Sequence, residues 1–140
     1  MEKKVVSWNE FEIQMGSMIK QLEEKKIEFD SVHGVPRGGV AIAIVISHHF
    51  KVPIVKEIRK GTLIVDDIAD SGKTMSRFPD NKKAVLFFKE HCKTPVDLYV
   101  DKAEAWIEFP WEAEEMPAED AVLRMIEAIG DDPTREGLLD

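Results

Sequence analysis

The sequence predicts an α/β fold, with a central and mostly parallel sheet flanked by helices. Three observations point there. Short β-friendly runs alternate with helically spaced apolar residues, one run (62–65) is apolar on both faces, and glycine-bearing loops follow the strand ends.

The elements follow in order. Ser7-Trp8-Asn9-Glu10 has the form of a capping box, with Ser7 as the cap and Glu10 reaching back. Phe11, Met15, Met18, Ile19 and Leu22 then recur at helical spacing, so a first helix runs to about Lys25. Residues 29–33 form a short strand that stops at Gly34, and Gly34-Val35-Pro36-Arg37-Gly38-Gly39 must be a loop. Residues 40–50 are apolar nearly all round, which predicts a helix buried on the sheet. Residues 52–58 read as a second strand, Lys60-Gly61 as a tight turn, and 62–65 as a central strand. A glycine-containing loop and one or two helical turns near 74–78 follow, and Pro79-Asp80-Asn81 breaks the chain. Residues 84–88, 96–100 and 105–109 complete the strands. Beyond Glu119, Val122, Met125, Ile126 and Ile129 form a helical stripe that Gly130 is placed to end. The expected division is therefore a main domain over 1–117 and a helix with a polar tail over 118–140.

Composition narrows the function. With 140 residues, 44% of them hydrophobic and 33% charged, the chain suits one domain with a real core. A formal charge of −8 opposes a nucleic-acid footprint, which needs a basic face. It does not oppose a small anionic substrate, since local N–H groups and one or two cations overcome a global field. No apolar run approaches the roughly 18 residues that span a membrane, and the start leads into no signal-peptide core, so a cytoplasmic location is expected. Cys92 is alone, which excludes an internal disulfide, and no zinc-like spacing of Cys and His exists. His91 and Cys92 are adjacent, but sequence neighbours seldom face each other as a thiol–imidazole pair.

The chemistry gathers in Val65-Asp66-Asp67-Ile68-Ala69-Asp70-Ser71-Gly72-Lys73-Thr74. Ligands of open α/β sheets sit beyond the carboxyl ends of the strands, where these residues emerge. Asp66 and Asp67 can accept hydrogen bonds from the vicinal hydroxyls of a ribose. Ser71, Gly72, Lys73 and Thr74 offer successive backbone N–H groups, two hydroxyls and a helix start to a monophosphate, and Lys73 adds positive charge.

This segment resembles the phosphoribosyl pyrophosphate signature of the type I phosphoribosyltransferases. Val6-Ser7-Trp8-Asn9, Val35-Pro36-Arg37-Gly38-Gly39, Phe87-Phe88-Lys89 and Ala105-Trp106-Ile107-Glu108-Phe109-Pro110-Trp111 extend the likeness over about residues 5–112, towards the bacterial xanthine-guanine (6-oxopurine) branch. The resemblance implies a Rossmann-like fold and transfer of 5-phosphoribosyl from phosphoribosyl pyrophosphate to a 6-oxopurine, with pyrophosphate released. It implies that Arg37 and Gly38 contact pyrophosphate, that Asp66 and Asp67 hold the ribose, and that Mg2+ is bound with Asp67 as ligand. It also implies that Asp70 is the general acid/base facing purine N7, that residues 70–74 cradle the 5-phosphate, and that Lys89, Trp106 and Ile107 hold the purine. Glu108 is a weaker candidate for reading the 2-substituent. Family members form dimers or tetramers, so self-association is expected. The rival is a non-catalytic module that uses the same cradle to sense a nucleotide.

The sequence departs from the family at one functional element. Only Arg59-Lys60-Gly61 stands where the family carries a long flexible lid, so the lid is expected to be deleted. The segment from Ala121 to Asp140 resembles the opening helix of GTP cyclohydrolase I. That implies a fusion or association with such a domain, and no cyclohydrolase activity in this chain.

Overall fold

The computed structural model describes residues 3–112, so the expected helix and tail over 118–140 lie outside the described residues. The elements are β1 (Lys3–Val5), α1 (Trp8–Glu24), β2 (Ser31–Gly34), α2 (Gly38–Phe50), β3 (Thr62–Ala69), β4 (Lys83–Lys89), β5 (Leu98–Ala103) and β6 (Trp106–Glu108). Short 3-10 turns cover Met75–Arg77 and Pro110–Glu112. Strands β2, β3, β4 and β5 form one sheet in that order, with every neighbouring pair parallel. A two-stranded parallel ribbon of β1 and β6 stands beside it.

Each element follows from local chemistry. The Ser7 hydroxyl accepts the Glu10 N–H at 3.1 Å, which satisfies one of the orphan donors at the start of α1. Phe11, Met15, Met18 and Leu22 put one face of that helix into the core. Val35, just past β2, extends the ladder by donating to the Val65 carbonyl at 3.0 Å. In β3, Leu63, Ile64 and Val65 are fully buried, because this strand has neighbours on both edges and packing on both faces. The main core joins both helices to Leu63, Val65, Ala84 and Leu86, and a smaller cluster packs Val35, Met75 and Phe78 on Ile64 and Val85.

Three expectations are corrected. Residues 52–58 are not a strand: Ile54 makes an isolated bridge to Val32, and Pro53 has no N–H with which to extend the pairing. Strand β3 runs through both aspartates to Ala69 instead of ending at Val65, because its parallel neighbour β4 continues as far. Helix α2 is not buried all round, since Val40 and Ile44 are 41% and 55% exposed. Only one face of it meets the sheet, whatever the hydropathy of the others.

No lid occupies the connection into β3. Residues 55–61 make a close turn pinned by Arg59 to the Asp30 carboxylate at 3.2 Å, and the Asn81 amide donates to the Arg59 carbonyl at 2.7 Å. No helix among the described residues is long and apolar enough to cross a membrane.

Replacing the helix cap tests the first of these assignments. Ser7→Ala should cost about 1 kcal/mol in urea unfolding, and an unchanged midpoint would show that the cap bond contributes nothing.

Candidate functional site

A cavity of about 940 Å³ opens at the carboxyl ends of β2 and β3. Its walls are the Pro36-Arg37-Gly38 loop, the exposed edge of α2 at Val40 and Ile44, and the chain from Asp66 to Gly72. Trp8, Trp111 and Glu112 close the remaining side. Arg37, Gly38, Asp66, Asp67, Asp70, Ser71, Gly72 and Thr74 thus share one space, and exposed Lys73 lies between the last two in sequence.

The close approach of β3 to the start of α2 shapes this cavity. Asp67 lies so near Gly38 that any side chain there would overlap its carboxylate. The peptide bond between Pro36 and Arg37 is cis. Arg37 is exposed at the helix start and makes no ion pair with the described residues.

Asp66 is buried, and its carboxylate accepts the Asp67 N–H at 2.8 Å. Burial, then repulsion from the Asp67 charge and a shared side-chain hydrogen bond, push the Asp66 carboxyl from its ordinary 3.8 to about 8. Among the described residues no group of three or more His, Cys, Asp or Glu could cage a metal. Asp67 stands at a cavity wall beside Asp66, a donor set of one or two carboxylates that would fit a magnesium ion.

The turn after β3 is held in a left-handed conformation at Gly72. Gly72 has φ +90°, and the Thr94 side chain packs where a Cβ would stand. The Thr94 hydroxyl donates to the Gly72 carbonyl at 2.8 Å, which holds the turn from the β4–β5 loop. The Lys73 N–H is taken by the Ser71 hydroxyl at 3.2 Å. The N–H groups of Ser71, Gly72 and Thr74 meet no acceptor among the described residues.

Asp70 stands between two cations or donors. Its Oδ1 lies 2.6 Å from His91 Nε2, and its Oδ2 lies 3.7 Å from Lys89 Nζ. Lys89 therefore borders the site through Asp70, although it does not line the cavity. Trp106 and Ile107 do not line it either. Trp106 is 57% exposed on β6, and the Ile107 side chain is buried in the core.

Sequence reasoning missed the contributions of Trp8, Trp111, Thr94 and His91. Parallel pairing of Ala69 with Phe88 makes Asp70 and Lys89 the next neighbours, so a β3–β4 register would have suggested residues just after Lys89. His91 turns to Asp70 while the Cys92 thiol donates to the Thr94 carbonyl at 3.3 Å, so the two do not form a pair.

The fold is that of the type I phosphoribosyltransferases, a parallel sheet whose β3 carries Asp66 and Asp67 at the cavity wall, with the Gly72 turn following it. Comparison with known proteins finds its likenesses among purine phosphoribosyltransferases. The chain is 24% identical over 135 residues to the xanthine-guanine phosphoribosyltransferase of Chromohalobacter salexigens, covering 76% of this chain and 82% of the relative. The enzyme of the same name from Cereibacter sphaeroides is 27% identical over 114 residues, covering 59% and 68%. Among solved structures, a purine phosphoribosyltransferase from Pyrococcus horikoshii superposes with a TM-score of 0.69 at 27% identity, covering 81% of this chain and 96% of that one. The Helicobacter pylori xanthine-guanine-hypoxanthine enzyme gives 0.72 at 23% identity, covering 91% and 98%. No family model matches the chain.

Two outcomes test this site. Gly38→Ala should displace the Asp67 carboxylate and weaken binding of any ligand held there, read by calorimetry against wild type. Asp66 binds a proton in the folded chain at pH values where the unfolded chain has released it. Its contribution to stability is therefore full below 3.8 and is lost as the pH rises through about 8. Urea midpoints should fall between roughly pH 5 and roughly pH 8, and Asp66→Asn should flatten that slope.

Proposed function

We infer that the chain is a purine phosphoribosyltransferase, moving 5-phosphoribosyl from phosphoribosyl pyrophosphate to N9 of a 6-oxopurine (guanine, xanthine or hypoxanthine) and releasing pyrophosphate. The observation that carries this reading is the Asp66–Asp67 pair at one wall of the cavity, with the open N–H groups of Ser71, Gly72 and Thr74 a few residues on. The names of its relatives point the same way.

The residues divide the work by chemistry. Asp66 and Asp67 accept from the ribose hydroxyls, while the turn at 70–74 takes the 5-phosphate through its amides, its hydroxyls and Lys73. Arg37 and the Gly38 N–H face the pyrophosphate, where negative charge grows as the bond to the anomeric carbon breaks. Mg2+ bound at Asp67 would neutralise part of that charge and orient the leaving group. Asp70 takes the proton from purine N7 as N9 attacks. Lys89 donates to the 6-oxo group, and a 6-amino purine would leave it facing another donor. Trp106 stacks on the ring and Ile107 offers its backbone to the base edge. The exposure of the indole supports the stacking role of Trp106, and the proximity of Lys89 to Asp70 supports the purine role of Lys89.

The same reading carries a cytoplasmic location and self-association as a dimer or tetramer. The tail adds a possible partner in a GTP cyclohydrolase I-like domain, a hypothesis that a longer reading frame without such sequence would remove.

Incorporation of labelled guanine, xanthine or hypoxanthine into nucleotide, with phosphoribosyl pyrophosphate and Mg2+, tests the activity. Asp70→Asn should lower turnover by about 100-fold to 10,000-fold. Nucleotide binding in calorimetry with wild-type turnover no greater than that of the variant would instead support the sensing module.

A further inference from the structure

We propose that His91 is a positioning residue for Asp70, holding one oxygen of its carboxylate so that the other is presented to the purine. The inference rests on the reading of Asp70 as the group that takes the N7 proton.

The geometry separates the two oxygens. His91 Nε2 lies 2.6 Å from Oδ1, a short donor–carboxylate hydrogen bond. Lys89 Nζ stands 3.7 Å from Oδ2, an ion contact too long for a hydrogen bond. Oδ1 is therefore committed to the protein, and Oδ2 is the oxygen free to accept a proton. For Nε2 to donate, it must carry hydrogen, and both the neutral Nε2–H tautomer and the doubly protonated ring allow this.

An exposed pair of this kind contributes little by itself, because water screens it and ordering two side chains costs entropy. Here the backbone removes part of that cost. His91 sits in a close turn in which the Cys92 N–H donates to the Lys89 carbonyl at 2.9 Å. Three residues on, Thr94 ties the same loop to the Gly72 carbonyl at 2.8 Å. The loop is thus anchored to β4 at one end and to the proposed phosphate turn at the other, with His91 between. The Cys92 thiol is occupied by the Thr94 carbonyl and does not compete for the ring. The arrangement follows a general pattern, in which a proton-transferring group is oriented by a partner on its far side.

Steady-state kinetics of wild type, His91→Ala, His91→Gln, Asp70→Asn and the His91→Ala/Asp70→Asn double variant test this. His91 is exposed, and matched thermal unfolding would show that its variants fold. His91→Ala should lower kcat roughly tenfold, with KM for phosphoribosyl pyrophosphate within about twofold of wild type. His91→Gln should recover most of the loss, since its amide N–H can donate to the same oxygen. In the Asp70→Asn background, His91→Ala should cost nothing further. An active wild type with unchanged kcat in His91→Ala overturns this inference alone, as does a tenfold loss that persists without Asp70. A wild type without transfer overturns the proposed function, and this inference with it.

Discussion

The site depends on how closely the ends of β2 and β3 lie together. Parallel pairing brings Gly34 level with Val65, and the Val35 N–H donates to the Val65 carbonyl at 3.0 Å. The two loops that leave these strands must then diverge around whatever fills the gap. One becomes the start of α2 at Gly38 and the other carries the aspartates and the tight turn at Gly72. The missing side chain of Gly38 lets the Asp67 carboxylate stand against the helix start. A bulkier residue would close the cavity from the inside.

Electrostatics favours the proposed phosphorylated-sugar ligand even in a chain of net charge −8. Burial and its neighbour make Asp66 reluctant to ionise, so the acidic pair carries less than its formal charge. Arg37 and the amide groups of the turn supply positive potential within the same cavity, and Lys73 lies in that turn. The global field has little to do with it. In the proposed complex, a diol would meet this pair by donating hydrogen bonds and a magnesium ion by charge.

The sequence made much of this legible, and the limits have physical causes. The cap at Ser7, the α/β order and the convergence of Arg37, Asp66, Asp67 and Asp70 on one cavity were all readable, because local propensity and the strand-end rule agree there. Pro53 defeated the strand expected over 52–58, since apolar patterning carries no account of missing donors. The exposed edge of α2 escaped because composition does not say how many faces of a helix will find a partner. Trp8 and Trp111 line the cavity although they lie far apart in the chain, and the Trp8 and Trp111 rings meet at 6.1 Å. His91 was hidden for a related reason: its partner comes from a neighbouring strand end, and its sequence neighbour Cys92 was the more obvious candidate.

The short connection into β3 changes what the rest of the site must supply. A lid excludes water and completes a reaction centre at the moment of closure. With residues 55–61 pinned by Asp30 and Asn81, that segment cannot fold over the cavity without breaking those ties. Preorganisation is the remaining route to catalysis, because groups already in place need no reordering as charge develops. The turn at Gly72 is tied by Thr94, and Asp70 is held by His91, both from the loop that follows β4. That loop does not cover the substrate. It fixes the groups proposed to meet the substrate, which lets a chain with an open site keep Asp70 and the Gly72 turn in register.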